Sequence, residues 1–293
     1  MKIDAHQHFW DPARKDYGWI DDLQGEAAQR LRRPVLPPEL APLLTAEQVG
    51  ATVLVQAAPS EAEGQFLLSL ADRHAFIAGV VVWLDMAAPD FEERLDALRG
   101  SAKFVGVRPM IHDIAEPDWM LRPSVRRAFA VLEKQQICFD FLVRTVHFPP
   151  LLEILEAFPR LRAVLDHIGK PQIAARQWEP WAALFARAAS CPNLYCKLSG
   201  MITEASHSGW VAADLAPYVR HAIERFGPER CMFGSDWPVC TLAGSYRQVS
   251  GALEHALAPL GLSPAAQQRI WGGTAAAFYG LSTAGGPGAR EVS

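Results

Sequence analysis

Short apolar runs alternate with longer mixed stretches along most of the chain. The first run is Met1 to His8, in which Ile3, Ala5 and Gln7 alternate with Asp4, His6 and His8. That is the period of a strand, and it predicts Asp4, His6 and His8 on one face. The same pattern on a helix would point His6 and His8 about 200° apart. Seven further apolar runs read as strands, over 52–56, 76–84, 103–108, 138–143, 161–167, 194–199 and 230–236. Helical patterns fill the spaces between them. Ser60 and Glu63 predict a capping box that opens a helix reaching Arg73. Asp90 is placed to cap a helix with Phe91, Leu95 and Leu98 inward and Gly100 as its stop. Further helices are expected from Ser124, over 150–158, around 181–189, up to Phe226, and over 246–258 and 263–279.

Strands that are apolar almost throughout belong to a sheet buried on both faces. Eight strand–helix units in 293 residues predict a single-domain α/β protein of the (β/α)8 TIM-barrel class, over 1–281. An open doubly wound sheet is the competing architecture. It lacks support, because no glycine-rich phosphate-binding turn follows the first strand. Residues 282–293, rich in Gly, Ala and Ser, are expected to form a flexible tail. The connection from the first strand to the second is long and carries Trp10, Tyr17, Trp19 and several prolines. Such a segment serves either as a functional lid or as a satellite apolar cluster that staples the loop down.

Composition narrows the function. A formal net charge of −4 supplies no basic patch and argues against nucleic acid as the partner. Cys138, Cys191, Cys196, Cys231 and Cys240 form no C-x-x-C pair and read as reduced thiols of a cytoplasmic protein. No run approaches a membrane span, and no leader precedes the first strand. The expected partner is a small molecule, with no membrane contact, and homo-oligomerisation is left open.

In a barrel of this class the active site lies at the carboxyl ends of the strands. The polar residues there are His6 and His8, Gln56, Trp83 and Asp85, Arg108, Asp140, Asp166 and His167, Lys197 and Ser199, and Ser235 and Asp236. Closure puts the first strand beside the last, so His6, His8 and Asp236 become neighbours, with His167 facing them. Two imidazoles, a third from another strand and a carboxylate suit a metal site or a polarised carbonyl. Arg108 is read either as a structural ion-pair partner or, in preference, as the contact for a carboxylate or a polyhydroxylated ligand. Lys197 either points into the pocket as a ligand contact or salt-bridges Asp166. His74, His207, His221 and His255 are expected at the surface, and His112 and His147 lie in loops at the pocket rim.

These segments resemble a known family. Ile3-Asp4-Ala5-His6-Gln7-His8-Phe9-Trp10, Leu165-Asp166-His167-Ile168-Gly169-Lys170-Pro171, Lys197-Leu198-Ser199-Gly200 and Met232-Phe233-Gly234-Ser235-Asp236-Trp237-Pro238 are similar to motifs of the amidohydrolase superfamily. The resemblance is closest to its amidohydrolase-2 branch, in the sugar-lactone lactonase group that includes L-fuconolactonase-like and L-rhamnonolactonase-like enzymes. It covers nearly the whole chain. It implies a distorted (β/α)8 barrel, a hydrolytic water, and His6, His8, His167 and Asp236 as the catalytic core. Binuclear members carry a bridging lysine or carboxylate after the fourth strand and a histidine after the fifth. Here those places hold Arg108 and the segment Leu142-Val143-Arg144, so the resemblance implies at most one divalent ion, Zn or Mn. Its ligands would be His6, His8 and Asp236, with His167 as a further candidate. Members of the group also act without an obligatory metal.

The implied reaction is hydrolysis of a sugar-acid lactone. Asp236 takes the proton of a water that attacks a carbonyl polarised by His6, His8 and His167. Arg108 and aromatic walls such as Trp10, Trp83 and Trp237, with Lys197, would orient the ligand. The rival is a metal-dependent decarboxylase of an aromatic or unsaturated acid on the same residues.

Overall fold

The computed structural model describes residues 1–282, so residues 283–293 of the expected tail lie outside the described residues. Eight strands form one parallel sheet in sequence order: β1 Lys2–Gln7, β2 Val49–Val55, β3 Ile77–Val82, β4 Phe104–Val107, β5 Cys138–Phe141, β6 Arg162–Leu165, β7 Leu194–Leu198 and β8 Cys231–Phe233. Consecutive order with helical crossovers is the TIM-barrel arrangement. The seam between β1 and β8 is closed just beyond β8. The Asp236 amide donates to the His6 carbonyl at 2.8 Å, and the His8 amide to the Trp237 carbonyl at 2.7 Å. These bonds place the chain's first and last strand ends side by side, as expected.

The lower half of the lumen is apolar. Ile3, Ala5, Val53, Val55, Val81 and Met232 fill it, and Phe278 and Tyr279 of the helix Thr274–Tyr279 plug its end. Leu54, Val80, Val82, Leu165 and Leu198 point the other way, into the larger cluster under the outer helices. That division along each strand is the period-two alternation of a sheet buried on both sides.

In β1 the alternation fails, which corrects the expected single face of Asp4, His6 and His8. Between Asp4 and Gln7, β1 advances three residues while β2 advances two, Thr52 to Leu54. A bulge of this kind re-aims the side chains after it. Ile3 and Ala5 point into the lumen. Asp4 points outward and accepts from the Ser235 amide at 2.9 Å, the Ser235 hydroxyl at 2.6 Å and the Tyr246 hydroxyl at 3.0 Å. Its burial pushes its carboxyl up to about 6, against the opposing pull of those donors. His6, after the bulge, turns inward to Arg108 and Lys197. Asp4 is thus a strut between β1, β8 and the helix Tyr246–Leu257.

Smaller expectations also shift. Ser60 caps the helix Glu61–Arg73, accepting from the Glu63 amide at 3.2 Å. The Glu63 side chain does not complete the box; it reaches back to the amides of Ala57 and Ala58, at 2.9 and 3.0 Å. Asp90 makes no capping bond and instead pairs with Arg94 at 2.9 Å. His221 is buried against Trp178, Trp181 and Phe185, with Nε2 at 3.2 Å from the Ala182 carbonyl, and is no surface residue. No helix of the described residues is long and apolar enough to cross a membrane.

Candidate active site

The upper half of the lumen inverts the chemistry of the lower. His6, Asp140, Asp166 and Lys197 are fully buried there, and His8, Arg108, His167 and Asp236 nearly so. Asp236 sits at the centre. Its Oδ1 lies 3.3 Å from His8 Nε2, 3.8 Å from His6 Nε2 and 3.9 Å from His167 Nε2. Asp236 takes a left-handed backbone, φ 57°, which turns its side chain back over the barrel as its amide closes the seam. Burial pushes the Asp236 carboxyl up, but the surrounding His167, His8 and His6 rings, with the His8 hydrogen bond, outweigh it. The carboxyl is held well below its ordinary range.

His167 stands on an unusual turn. His167, Ile168, Gly169 and Lys170 all have positive φ, at 53°, 49°, 72° and 50°. One turn of left-handed helix is costly for L-residues and persists only where its surroundings enforce it. Here the Trp181 indole donates to the Ile168 carbonyl at 2.8 Å, and the Lys170 amide returns to the His167 carbonyl at 2.9 Å. The result lifts the imidazole into the lumen. Ser199 Oγ meets its Nδ1 at 2.8 Å. Gly200 lies beneath it, with φ +64° and no room for a side chain: a Cβ there would come within 2.5 Å of His167 Nδ1. Burial lowers the His167 pKa to about 4, although Asp236 and Asp166 pull it back up.

Below these groups runs a charge network. Lys197 Nζ donates to Asp140 Oδ2 at 2.5 Å, forms an ion pair with Asp166 Oδ1 at 3.0 Å, and lies 3.1 Å from His6 Nδ1. Arg108 Nη1 reaches Asp166 Oδ2 at 3.1 Å and His6 Nε2 at 3.3 Å, and its Nη2 donates to the Gln56 carbonyl. The Tyr279 hydroxyl donates to Asp140. Burial pushes the Asp166 carboxyl up, but Lys197, His6 and Arg108 hold it well below its ordinary value. Burial, with the charge of Lys197 added, keeps His6 neutral at ordinary pH.

The proton on His8 is fixed by its surroundings. Nδ1 lies 2.8 Å from the Val55 carbonyl, which can only accept, so Nδ1 carries hydrogen. In the neutral ring, Nε2 then presents a lone pair to the Asp236 carboxylate at 3.3 Å. Two electron-rich atoms face one another, which calls for a proton or a metal between them. Ligands about 2.0–2.1 Å from a tetrahedral ion stand roughly 3.3 Å apart, close to the spacing of this set. His6, His167 and Asp236 supply donor atoms all within 4.8 Å of one another. The residues present fit one divalent ion.

A cavity of about 280 Å³ opens above this floor. His8, Arg108, His167 and Asp236 form its base. Its walls combine apolar residues, Trp19, Leu23, Met110, Leu142 and Val239, with polar ones, His112, Asp113, Arg144, Lys170 and Thr203. Of the residues expected to orient a ligand, Arg108 lines this cavity. Trp10 is fully buried behind it, with its indole donating to the Leu31 carbonyl at 2.9 Å. Trp237 packs edge-on to Phe9 at 6.0 Å. Trp83 lines a groove beside the helices Glu61–Arg73 and Phe91–Leu98. Lys197 lies under His6, and the geometry takes its salt-bridge alternative. His147 accepts from the Arg144 amide at 3.1 Å and stays out of the cavity. The apolar wall carries little sequence signal beyond its place in the long first connection and the strand-end loops.

Against known proteins, residues 3–281 match the amidohydrolase family. The chain is 37% identical over 289 residues to an L-fucono-1,5-lactonase of Burkholderia ambifaria, covering 98% of each chain. It is 39% identical over 295 residues to an L-fucono-1,5-lactonase of Burkholderia multivorans, covering 96% of each. It superposes on a crystal structure of an amidohydrolase from Burkholderia multivorans with bound Zn, at a TM-score of 0.89 and 38% identity. That match covers 96% of this chain and 100% of the other. The family match spans every strand end that builds the cavity floor, and the chain belongs to the amidohydrolase family.

Proposed function

We propose that the protein hydrolyses a lactone, and that its substrate is a sugar-acid lactone. The observation that carries this reading is the floor of the cavity: one ionised carboxylate, Asp236, ringed by three imidazole nitrogens at 3.3–3.9 Å. The lactonase activity of the two Burkholderia relatives supports the same class of substrate.

His6, His8, His167 and Asp236 would hold a divalent ion, which when bound polarises a carbonyl and acidifies a water. Asp236, ionised across the neutral range, accepts the proton of the attacking water. The water oxygen bonds to the lactone carbon, and the carbonyl electrons move to oxygen. Arg108, at the floor and 3.3 Å from His6, faces that oxygen with its guanidinium and stabilises the charge. The ring C–O bond then breaks, and the departing alkoxide takes the proton back from Asp236. The products are a hydroxyl and a carboxylic acid on one open chain, and the acid releases its proton to solvent as the carboxylate. Asp166 and Lys197 hold His6 from below, so the floor does not reorganise as charge develops.

A panel of sugar-acid lactones, followed by proton release with and without chelator, tests the reading. Saturable hydrolysis of at least one is expected. A panel in which no lactone opens while an unsaturated or aromatic acid releases CO₂ would replace it with the decarboxylase.

A further inference from the structure

Trp19 is part of the cavity's apolar lining, and it is held through a buried glutamate that no step of the reaction uses. Trp19 belongs to the short helix Gly18–Asp22 in the long connection after β1. It is half-buried, with its indole lining the cavity beside Leu23 and Ala57. Two contacts fix the ring. Its edge stands on the fully buried Trp10, with centroids 5.6 Å apart and planes at 87°. Its Nε1 donates to the Ala57 carbonyl at 2.7 Å.

Ala57 is itself held. Glu63 is fully buried, and its two oxygens accept from the Ala57 amide at 2.9 Å and the Ala58 amide at 3.0 Å. Burial pushes the Glu63 carboxyl up to about 8 against the pull of those two amides, so its hold on the peptide rests on the paired hydrogen bonds and not on a full charge. The path Glu63, Ala57, Trp19 therefore sets the position of the wall. Arg14 secures the same connection independently: it donates to the Ala62 carbonyl at 2.9 Å and stacks over Phe66 at 4.7 Å.

We infer that Trp19 is the ring-binding platform of the site and that Glu63 is its positioning residue. The inference rests on the sugar-lactone reading. A sugar lactone has hydroxylated edges and a face of C–H groups. The cavity lining offers both kinds of contact, apolar from Trp19, Leu23 and Leu142 and polar from Lys170, Thr203 and His112. The C–H face lies on the indole and the hydroxyls turn to the polar residues, which carries the carbonyl down to Asp236.

The test measures KM and kcat for the hexono-1,5-lactone that the wild type opens fastest, in Trp19→Ala, Trp19→Phe, Glu63→Gln and the double variant Trp19→Ala/Glu63→Gln. Thermal melts confirm that each is folded. Trp19→Ala is expected to raise KM about tenfold, the scale of one lost aromatic contact, with kcat changed less than threefold. Trp19→Phe keeps a ring but loses the anchor, and Glu63→Gln keeps the shape but offers one acceptor for two amides. Both are expected to raise KM by a few-fold. Because Glu63 acts through Trp19, the double variant is expected to match Trp19→Ala alone. A Trp19→Ala protein whose KM stays within twofold of wild type overturns the platform. A double variant whose KM is the product of the two single effects overturns the positioning path, because Glu63 would then act elsewhere. A wild type that opens no sugar lactone removes the sugar reading, and the platform with it. Trp19→Phe carries the argument if the buried Glu63→Gln change fails to fold.

Discussion

The two halves of the barrel lumen are built on the same strands and obey opposite rules. Below, Val53, Val55, Val81 and Met232 meet Phe278 in an apolar plug. Above, Lys197, Arg108, Asp140, Asp166 and Asp236 are packed with three histidines in a chain of contacts of 2.5–3.9 Å. On β6 the change takes two residues, from Val164 in the plug to Asp166 in the network. The lower half contributes stability by removing apolar surface from water. The upper half holds buried charges, whose desolvation their mutual attraction only roughly offsets. Stability and chemistry are thus stacked along one axis, and substitutions in each half should fail in different ways.

The largest separation is expected at Asp236. Asp236→Asn keeps the shape and removes the proton acceptor, so the rate should fall by about 10²–10⁴ while the melting temperature holds. Steady-state kinetics beside a thermal scan checks this. If the residue serves only as a metal ligand, added metal should restore part of the rate. Lys197→Met should do the reverse of a neutral repacking, since Lys197 compensates both Asp140 and Asp166. Removing one partner of such a group costs about 3–5 kcal/mol, measurable by urea denaturation. A loss below 1 kcal/mol would show that the two carboxyls neutralise without it.

A third expectation concerns acid. His167 is buried neutral, with its pKa lowered to about 4 from an ordinary 6.5. The unfolded chain therefore binds the proton first, and stability should fall as pH drops from about 6.5 to about 4, by roughly 3 kcal/mol from this group. His167→Gln should flatten that slope in denaturation curves taken across the interval. Below the divide, Val53→Ala should cost about 2 kcal/mol and leave kcat and KM unaltered. Metal content should sharpen the contrast from the other side. With Arg108 at the end of β4 in place of a bridging ligand, elemental analysis should give no more than one divalent ion per chain, and two would break the assignment.

Much of this division was legible in the residues. The apolar runs carried the barrel, because strands buried on both faces have no other composition available. The convergence of His6, His8, His167 and Asp236 followed from closure alone. What the sequence hid was local geometry. The bulge after Asp4 has no distinctive residue to announce it, so a strict alternation put Asp4 beside His6 when it braces Tyr246 outside. The tryptophans were equally opaque. Trp10, Trp83 and Trp237 lie near strand ends and Trp19 in the long connection, whose fold alone decides that Trp19 lines the cavity. Glu63 read as half of a capping box, and its true partners, the amides of Ala57 and Ala58, are found one loop away.

The seam between β1 and β8 has a consequence for biosynthesis. His8 is made well before its partner Asp236, which lies 228 residues later. At a synthesis rate of about 5–20 residues per second, the interval is on the order of ten to fifty seconds. Throughout it, a nascent barrel on the ribosome carries β1 with an open edge and two histidines waiting for their carboxylate. No fragment that stops short of Trp237 can complete the ring or the site. The enzyme's chemistry and the closure of its barrel therefore arrive together.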